Sequence, residues 1–237
     1  MILALIPARG QSRGISRKNA RHLAGFPLVA WSILAAQKAK VDQVVVSTDD
    51  DEIGDLAHTH SAEVVWRPAE LATDDCPDLP VVEHALRAFD VPADAIVVYL
   101  RPTSPFRRPE EINEVVELMR RRPEVSSVRS VVPATSHPQK MYAEAGPIGL
   151  PYRVLMPYLP AFHAANAPRQ GLGAVYKPVG FIDAVRARWM WMGSMEGPVI
   201  ARWDAPVERA VDLDDESQWS AADGLAVLNG WAPGRCG

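Results

Sequence analysis

The chain has 237 residues, 48% of them hydrophobic, enough for one sizeable core, and its net charge of −4 argues against a general nucleic-acid-binding surface. Its two cysteines, Cys76 and Cys236, are too far apart in sequence for a disulfide framework and match no metal-ligand spacing. No run approaches the roughly 18 apolar residues of a membrane span, and residues 1–6 are too short and lack the basic flank of a signal peptide. A cytoplasmic protein is expected, with neither nucleic acid nor membrane as partner.

Ile2–Ile6 is all apolar, as a strand buried on both faces of a parallel sheet would be. A loop follows, Pro7-Ala8-Arg9-Gly10-Gln11-Ser12-Arg13-Gly14-Ile15-Ser16-Arg17-Lys18-Asn19. Its glycines let the backbone approach a ligand, and its arginines and lysine can neutralise phosphate. It is neither a Walker A loop nor a Gly-x-Gly-x-x-Gly turn, since Ile15 follows Gly14. Position and charge point to a small anion at a strand end, against the plainer reading of a solvated basic loop.

Pro27 to Lys40 reads as a helix, Gln43–Ser47 as a strand, and Asp50 or Asp51 as the cap of the helix after it. Glu63–Trp66 is a third strand. Leu79–Phe89 is a helix with Val82, Ala85, Leu86 and Phe89 on one face. Ala95–Leu100 is a strand, and Pro109–Arg122 a helix turning Ile112, Val115, Val116 and Met119 inward. Ser126–Val132 is a further strand. The segment from 133 to 178 is irregular and rich in proline and glycine; it reads as an arm, lid or dimerisation insert. Patterning returns near Phe181, and Glu216–Asn229 is the last helix. Strands alternating with helices predict an α/β fold: a three-layer, mainly parallel, doubly wound sheet in a single domain spanning 1–237.

Polar groups recur just after the strands: Arg9 to Asn19, Asp49, Arg67, and Arg101-Pro102-Thr103-Ser104-Pro105. Four such loops suggest one shared anionic ligand. In Val211-Asp212-Leu213-Asp214-Asp215-Glu216, Asp212 and Asp214 share a face if the segment is extended. Two neighbouring carboxylates suit Mg²⁺ beside phosphates, and equally suit a solvated turn that caps the last helix.

Together these runs resemble the acylneuraminate cytidylyltransferase family. The resemblance rests on Ile6 to Asn19, Val45-Val46-Ser47-Thr48-Asp49, Arg67-Pro68-Ala69-Glu70-Leu71-Ala72, and Leu100-Arg101-Pro102-Thr103-Ser104-Pro105-Phe106-Arg107, continuing through His137-Pro138-Gln139-Lys140, Arg169-Gln170 and Asp212-Leu213-Asp214. It implies a nucleotidyltransferase-like fold and a reaction joining CTP to a nine-carbon, sialic-acid-like 2-keto sugar acid, with release of pyrophosphate. By that resemblance Arg9, Arg13 and Lys18 would hold the triphosphate, and Ala8, Asn19 and Arg67 would lie near the nucleoside. Asp212 and Asp214 would carry Mg²⁺; Arg9, Lys18 and Asp212 would be catalytic. Lys140, Arg169 and Lys177 would meet the sugar acid, and the insert would build a homodimer.

The sequence departs from the family pattern around recognition. Arg101 stands where glutamine is usual, so it is expected to touch nucleotide or sugar; Asp78 stands where serine or threonine is common. Val179-Gly180-Phe181 replaces an Asn-Gly pair, and Gly173 a proline. A carboxylate at position 78 could accept from the N1–H and N2–H₂ edge of guanine. That leaves a guanylyltransferase acting on a sugar 1-phosphate as one alternative, and an inactive nucleotide-sugar binding module as another.

Overall fold

The structure is a computed structural model and describes residues 1–145, 154–159 and 168–235. The chain divides into two compact units, one of Met1–Val131 with Pro178–Gly237, the other of Val132–Lys177.

The first unit begins with β1 (Ile2–Pro7), whose residues Ile2 to Ile6 are all buried. A small hairpin, β2 (His22–Leu23) and β3 (Phe26–Pro27), leads into α1 (Leu28–Lys38). Pro27 is the N-cap of that helix rather than part of its first turn. It is paired in the hairpin, and its missing N–H costs the helix nothing there. Next come β4 (Gln43–Thr48), α2 (Asp51–Thr59), β5 (Glu63–Trp66), α3 (Asp78–Ala88), β6 (Ile96–Tyr99), α4 (Pro109–Arg121) and β7 (Ser127–Pro133). Asp50 caps α2 by accepting from the Ile53 N–H at 3.1 Å.

In the second unit β8 (Tyr142–Ala145) and β9 (Val154–Pro157) pair as an antiparallel ribbon. The chain returns through β10 (Tyr176–Pro178) to β11 (Asp183–Arg186), α5 (Ala187–Trp191), β12 (Ile200–Asp204) and α6 (Glu216–Asn229).

Through the first unit the strand order is β7-β11-β6-β1-β4-β5, with β12 beside β7. The pairs β6–β1, β1–β4, β4–β5 and β7–β12 are parallel. Within this order β11 runs antiparallel to both of its neighbours, β6 and β7. This reversed strand puts Asp183 directly opposite Tyr99, so a residue far along the chain reaches the end of β6.

Strands buried on both faces need cover on both. One core gathers Leu3, Leu5, Val45 and Val97 with Val82, Ala85 and Leu86 of α3 and Met190 of α5. A second gathers Ile15, Leu23, Leu28, Trp31, Phe106, Leu213, Trp219, Ala222 and Ala226. This second core pins the site. Ile15 of the first loop and Leu213 of the Asp212–Asp214 run are both almost wholly buried in it, so two segments two hundred residues apart are anchored together.

Candidate active site

The first loop is fixed from beneath. The Ala8 N–H donates to the Ser47 carbonyl at 2.9 Å, and the Gly10 N–H to Asp49 Oδ1 at 2.9 Å. A Cβ on Gly10 would come within 2.6 Å of the Asp50 carboxylate, so this position has no room for a side chain. Asn19 closes the loop by donating from Nδ2 to the Arg9 carbonyl at 2.9 Å. Ala8 is itself wholly buried, and its N–H is committed to Ser47.

Above this loop lies a cleft of about 270 Å³, lined among others by Arg9, Lys18, Asn19, Arg67, Asp78, Tyr99 and Arg101. Arg9, Lys18, Asn19, Arg67 and Arg101, named from sequence, thus meet at one cavity, whereas Asp49 does not line it and instead holds the Gly10 N–H. Arg67 reaches it after β5 and donates to Ser47 Oγ and to the Ser47 carbonyl, both at 2.8 Å. Burial lowers its pKa from the usual arginine value.

Lys18 connects the cleft to the aspartate run. Its Nζ donates to the Leu213 carbonyl at 2.7 Å and lies 3.3 Å from Asp214 Oδ1. Gly14 packs so tightly on this segment that a Cβ there would sit 1.9 Å from the Asp214 carbonyl oxygen. Leu213 is buried, while Asp212 and Asp214 on either side of it are exposed. Helix capping falls to Asp215, which accepts from the Gln218 N–H at 2.9 Å in a capping box. Asp214 is thereby left free of the capping role.

Asp74 lines the cleft and Asp75 lies beside it, and neither belongs to a motif legible in the sequence. Asp74 pairs with Arg9 at 2.7 Å and with Arg13 at 2.7 Å, and Asp75 pairs with Arg13 at 2.9 Å. The Arg13 hydrogen bond is the main cause holding the Asp74 carboxyl below its usual range. Arg13 itself is mostly exposed and meets the cleft through Asp74.

At the β6 side, Asp78 opens α3 and uses both oxygens internally. Tyr99 Oη donates to one at 3.0 Å, and Arg101 Nη2 to the other at 2.7 Å. Burial and the adjacent Asp78 raise the Tyr99 phenol well above its ordinary range, so it stays a neutral donor. Burial alone would lower Arg101, but the carboxylates of Asp78 and Asp183 outweigh it and hold the guanidinium above its usual range.

Lys140 ends a short 3₁₀ turn, Pro138–Lys140, and Lys177 lies exposed on β10; both belong to the second unit. Arg169 begins another turn, Arg169–Gly171, but its side chain lies outside the described residues.

Fold and cleft together define an α/β protein with an arginine- and lysine-lined cleft at the carboxyl ends of its parallel strands. Residues 3–146, more than half of the chain, match the family described as Cytidylyltransferase. The protein belongs to that family. It is 45% identical over 122 residues to a CMP-N,N'-diacetyllegionaminic acid synthase of Legionella pneumophila, an alignment covering 49% of this chain and 52% of that protein. It is 32% identical over 230 residues to N-acylneuraminate cytidylyltransferase B of Danio rerio, covering 96% of this chain and 52% of the relative. The chain thus spans about half the length of these curated relatives. Its fold is similar to that of a CMP:2-keto-3-deoxy-manno-octonic acid synthetase solved with CTP, at a TM-score of 0.69 and 16% identity, over 96% of this chain and 98% of that one.

Proposed function

We propose that this protein is a cytidylyltransferase that joins CTP to a nine-carbon, sialic-acid-like 2-keto sugar acid and releases pyrophosphate. The observation that carries the reading is the joining, through Lys18, of a strand-end cleft lined by Arg9, Arg67 and Arg101 to the Leu213 carbonyl and the Asp214 carboxylate of the Asp212–Asp214 run. Family membership and the relatives' names support the same reading.

Asp212 and Asp214 suit Mg²⁺. They are two exposed carboxylates two residues apart, and among the described residues no cluster of three or more metal-ligating side chains forms a closed cage. Mg²⁺ ordinarily takes one or two carboxylates and completes its shell with phosphate oxygens and water. When bound, the ion would supply charge neutralisation at the reacting phosphate.

The chain's own residues do the rest. Arg9 and Lys18 hold the triphosphate and offset the charge that grows on the bridging oxygen as pyrophosphate leaves. Asn19 and Arg67 fix the nucleoside side of the cleft, and Arg13 reaches the phosphates once Asp74 and Asp75 release it. The sugar hydroxyl attacks the α-phosphorus in line, and Asp212 accepts its proton. Lys140, Arg169 and Lys177 supply cations for the sugar carboxylate. The working form is a cytoplasmic homodimer, which sedimentation velocity would detect as twice the chain mass.

Asp78 favours no guanine reading, because both of its oxygens are occupied by Tyr99 and Arg101. The test is pyrophosphate release with Mg²⁺, pairing CTP with a panel of nine-carbon keto acids and GTP with sugar 1-phosphates. Release with CTP and a keto acid is expected; release with GTP alone would overturn the assignment. Asp212→Asn should lower turnover by about a hundredfold or more while leaving the fold intact. Turnover that ignores this change would contradict the roles of Mg²⁺ and of Asp212.

A further inference from the structure

Arg101 is held in an unusual way for a cleft arginine. Its Nη2 donates to Asp78 at 2.7 Å and its Nη1 to Asp183 at 3.0 Å. Its guanidinium carbon lies 4.8 Å from the centre of the Tyr99 ring. Gly180, at φ +59°, closes the remaining side, where a Cβ would be 3.2 Å from Nη1. A long, rotamer-rich side chain is thus reduced to one geometry, and it still lines the cleft.

Asp183 is the anchor of that arrangement. Its side chain is 3% exposed, and a carboxylate so buried must be paired and hydrogen-bonded. It accepts from Arg101, from Arg129 Nη1 at 2.7 Å, from the Ser130 N–H at 3.2 Å and from Ser130 Oγ at 3.3 Å. Arg129 is braced in turn by Glu196 at 2.9 Å. Asp183 is fixed by a neighbouring strand, so it can fix Arg101.

The charges also matter. Arg101 and Arg129 face three carboxylates, Asp78, Asp183 and Glu196, so the positive charge of Arg101 is fully compensated within the cluster. Arg101 therefore meets the cleft as a rigid fork of N–H donors whose charge is already compensated. Such a fork suits neutral oxygen acceptors, a sugar hydroxyl or an acyl carbonyl, better than an anion.

We propose that Asp183 is a positioning residue that locks and charge-compensates Arg101, making Arg101 a reader of neutral oxygens on the sugar acid. This rests on the cytidylyltransferase reading above. The experiment measures steady-state kinetics of wild type, Asp183→Asn, Arg101→Lys and the double variant, with each substrate varied in turn. Each single change should raise the sugar-acid KM by about tenfold with the CTP KM within about twofold, as loss of one oriented donor predicts. The double variant should be no worse than the singles, because both remove one arrangement. Equal losses for both substrates, additive losses, or no change would overturn the proposal. If Asp183→Asn fails to fold, Arg101→Lys alone must show the sugar-selective loss.

A second readout needs no turnover. The Arg101 Nε–H signal in ¹⁵N NMR, assigned by its disappearance in Arg101→Lys, should be sharp and slow to exchange in wild type and broadened in Asp183→Asn. An unchanged signal would overturn the positioning role. Inactivity of wild type toward every sugar acid would instead sink the functional reading and leave this measurement standing.

Discussion

Asp74 sits between two cations of the first loop, pairing with Arg9 and Arg13 at 2.7 Å each. A triphosphate that recruits these arginines must displace it. Such pairs are partly exposed and individually weak, so the competition is modest. Asp74→Asn should therefore tighten binding of CTP, and of inorganic tripolyphosphate, by about threefold in titration calorimetry. The gap should be widest at neutral pH. Because the folded-state pKa of Asp74 is lowered, its ion pairs persist above the ordinary carboxylate range and are lost as pH falls through the lowered value. Weaker binding by the variant would mean that Asp74 orients the arginines rather than competing for them.

At the scale of elements, the start of α6 serves the site. Gln218 Oε1 accepts from the Asp214 N–H at 2.6 Å and the Asp215 N–H at 3.0 Å, while Asp215 caps the helix. The helix start thus sets the backbone from which Asp214 projects. Asp215→Ala should cost about 1 kcal/mol of stability in urea unfolding, the usual worth of a cap. Gly14→Ala acts on the facing segment, where the new Cβ would meet the Asp214 carbonyl at 1.9 Å. It should separate the first loop from the aspartate run and lower turnover by about tenfold or more, because positioning rather than burial is lost. Turnover close to wild type would show that the loop can shift without consequence.

Across the whole first unit, the loops above the sheet are tied to its interior by buried cations. Arg209 pairs with Glu111 at the start of α4 and donates to the Phe106 carbonyl at 3.1 Å. Arg107, wholly buried, donates to the Phe181 and Arg101 carbonyls and to Ser32 Oγ at 2.8 Å. These bonds join the segment after β6 to α1, to the approach to β11, and to the chain before α6. Removing one partner of a buried pair strands the other, so Arg209→Met should destabilise the protein by about 3 kcal/mol or more in chemical denaturation. A loss below about 1 kcal/mol would place the pair among ordinary surface bridges.

Local chemistry made much of this legible in the sequence. Five apolar residues before a basic loop mark β1, the Asp50-Asp51 pair marks a cap that the structure assigns to Asp50, and the period of Ile112, Val115, Val116 and Met119 marks α4. Leu213 stands as an apolar, buried residue between the exposed Asp212 and Asp214, and strand-end positions drew Arg9, Lys18, Arg67 and Arg101 toward one cleft. These are short-range properties: periodicity, capping and the edge at which parallel strands end. Only the tertiary structure decided which charges face one another. Asp74 beside Arg9, Asp183 beneath Arg101 and Lys18 against Leu213 join positions 65, 82 and 195 residues apart. The reversed β11 that brings Asp183 opposite Tyr99 carries no periodicity to distinguish it from a parallel strand. Strand direction and partner choice come from the packing of the whole sheet, and with them the neutralised state of Arg101, which its own sequence context could not convey.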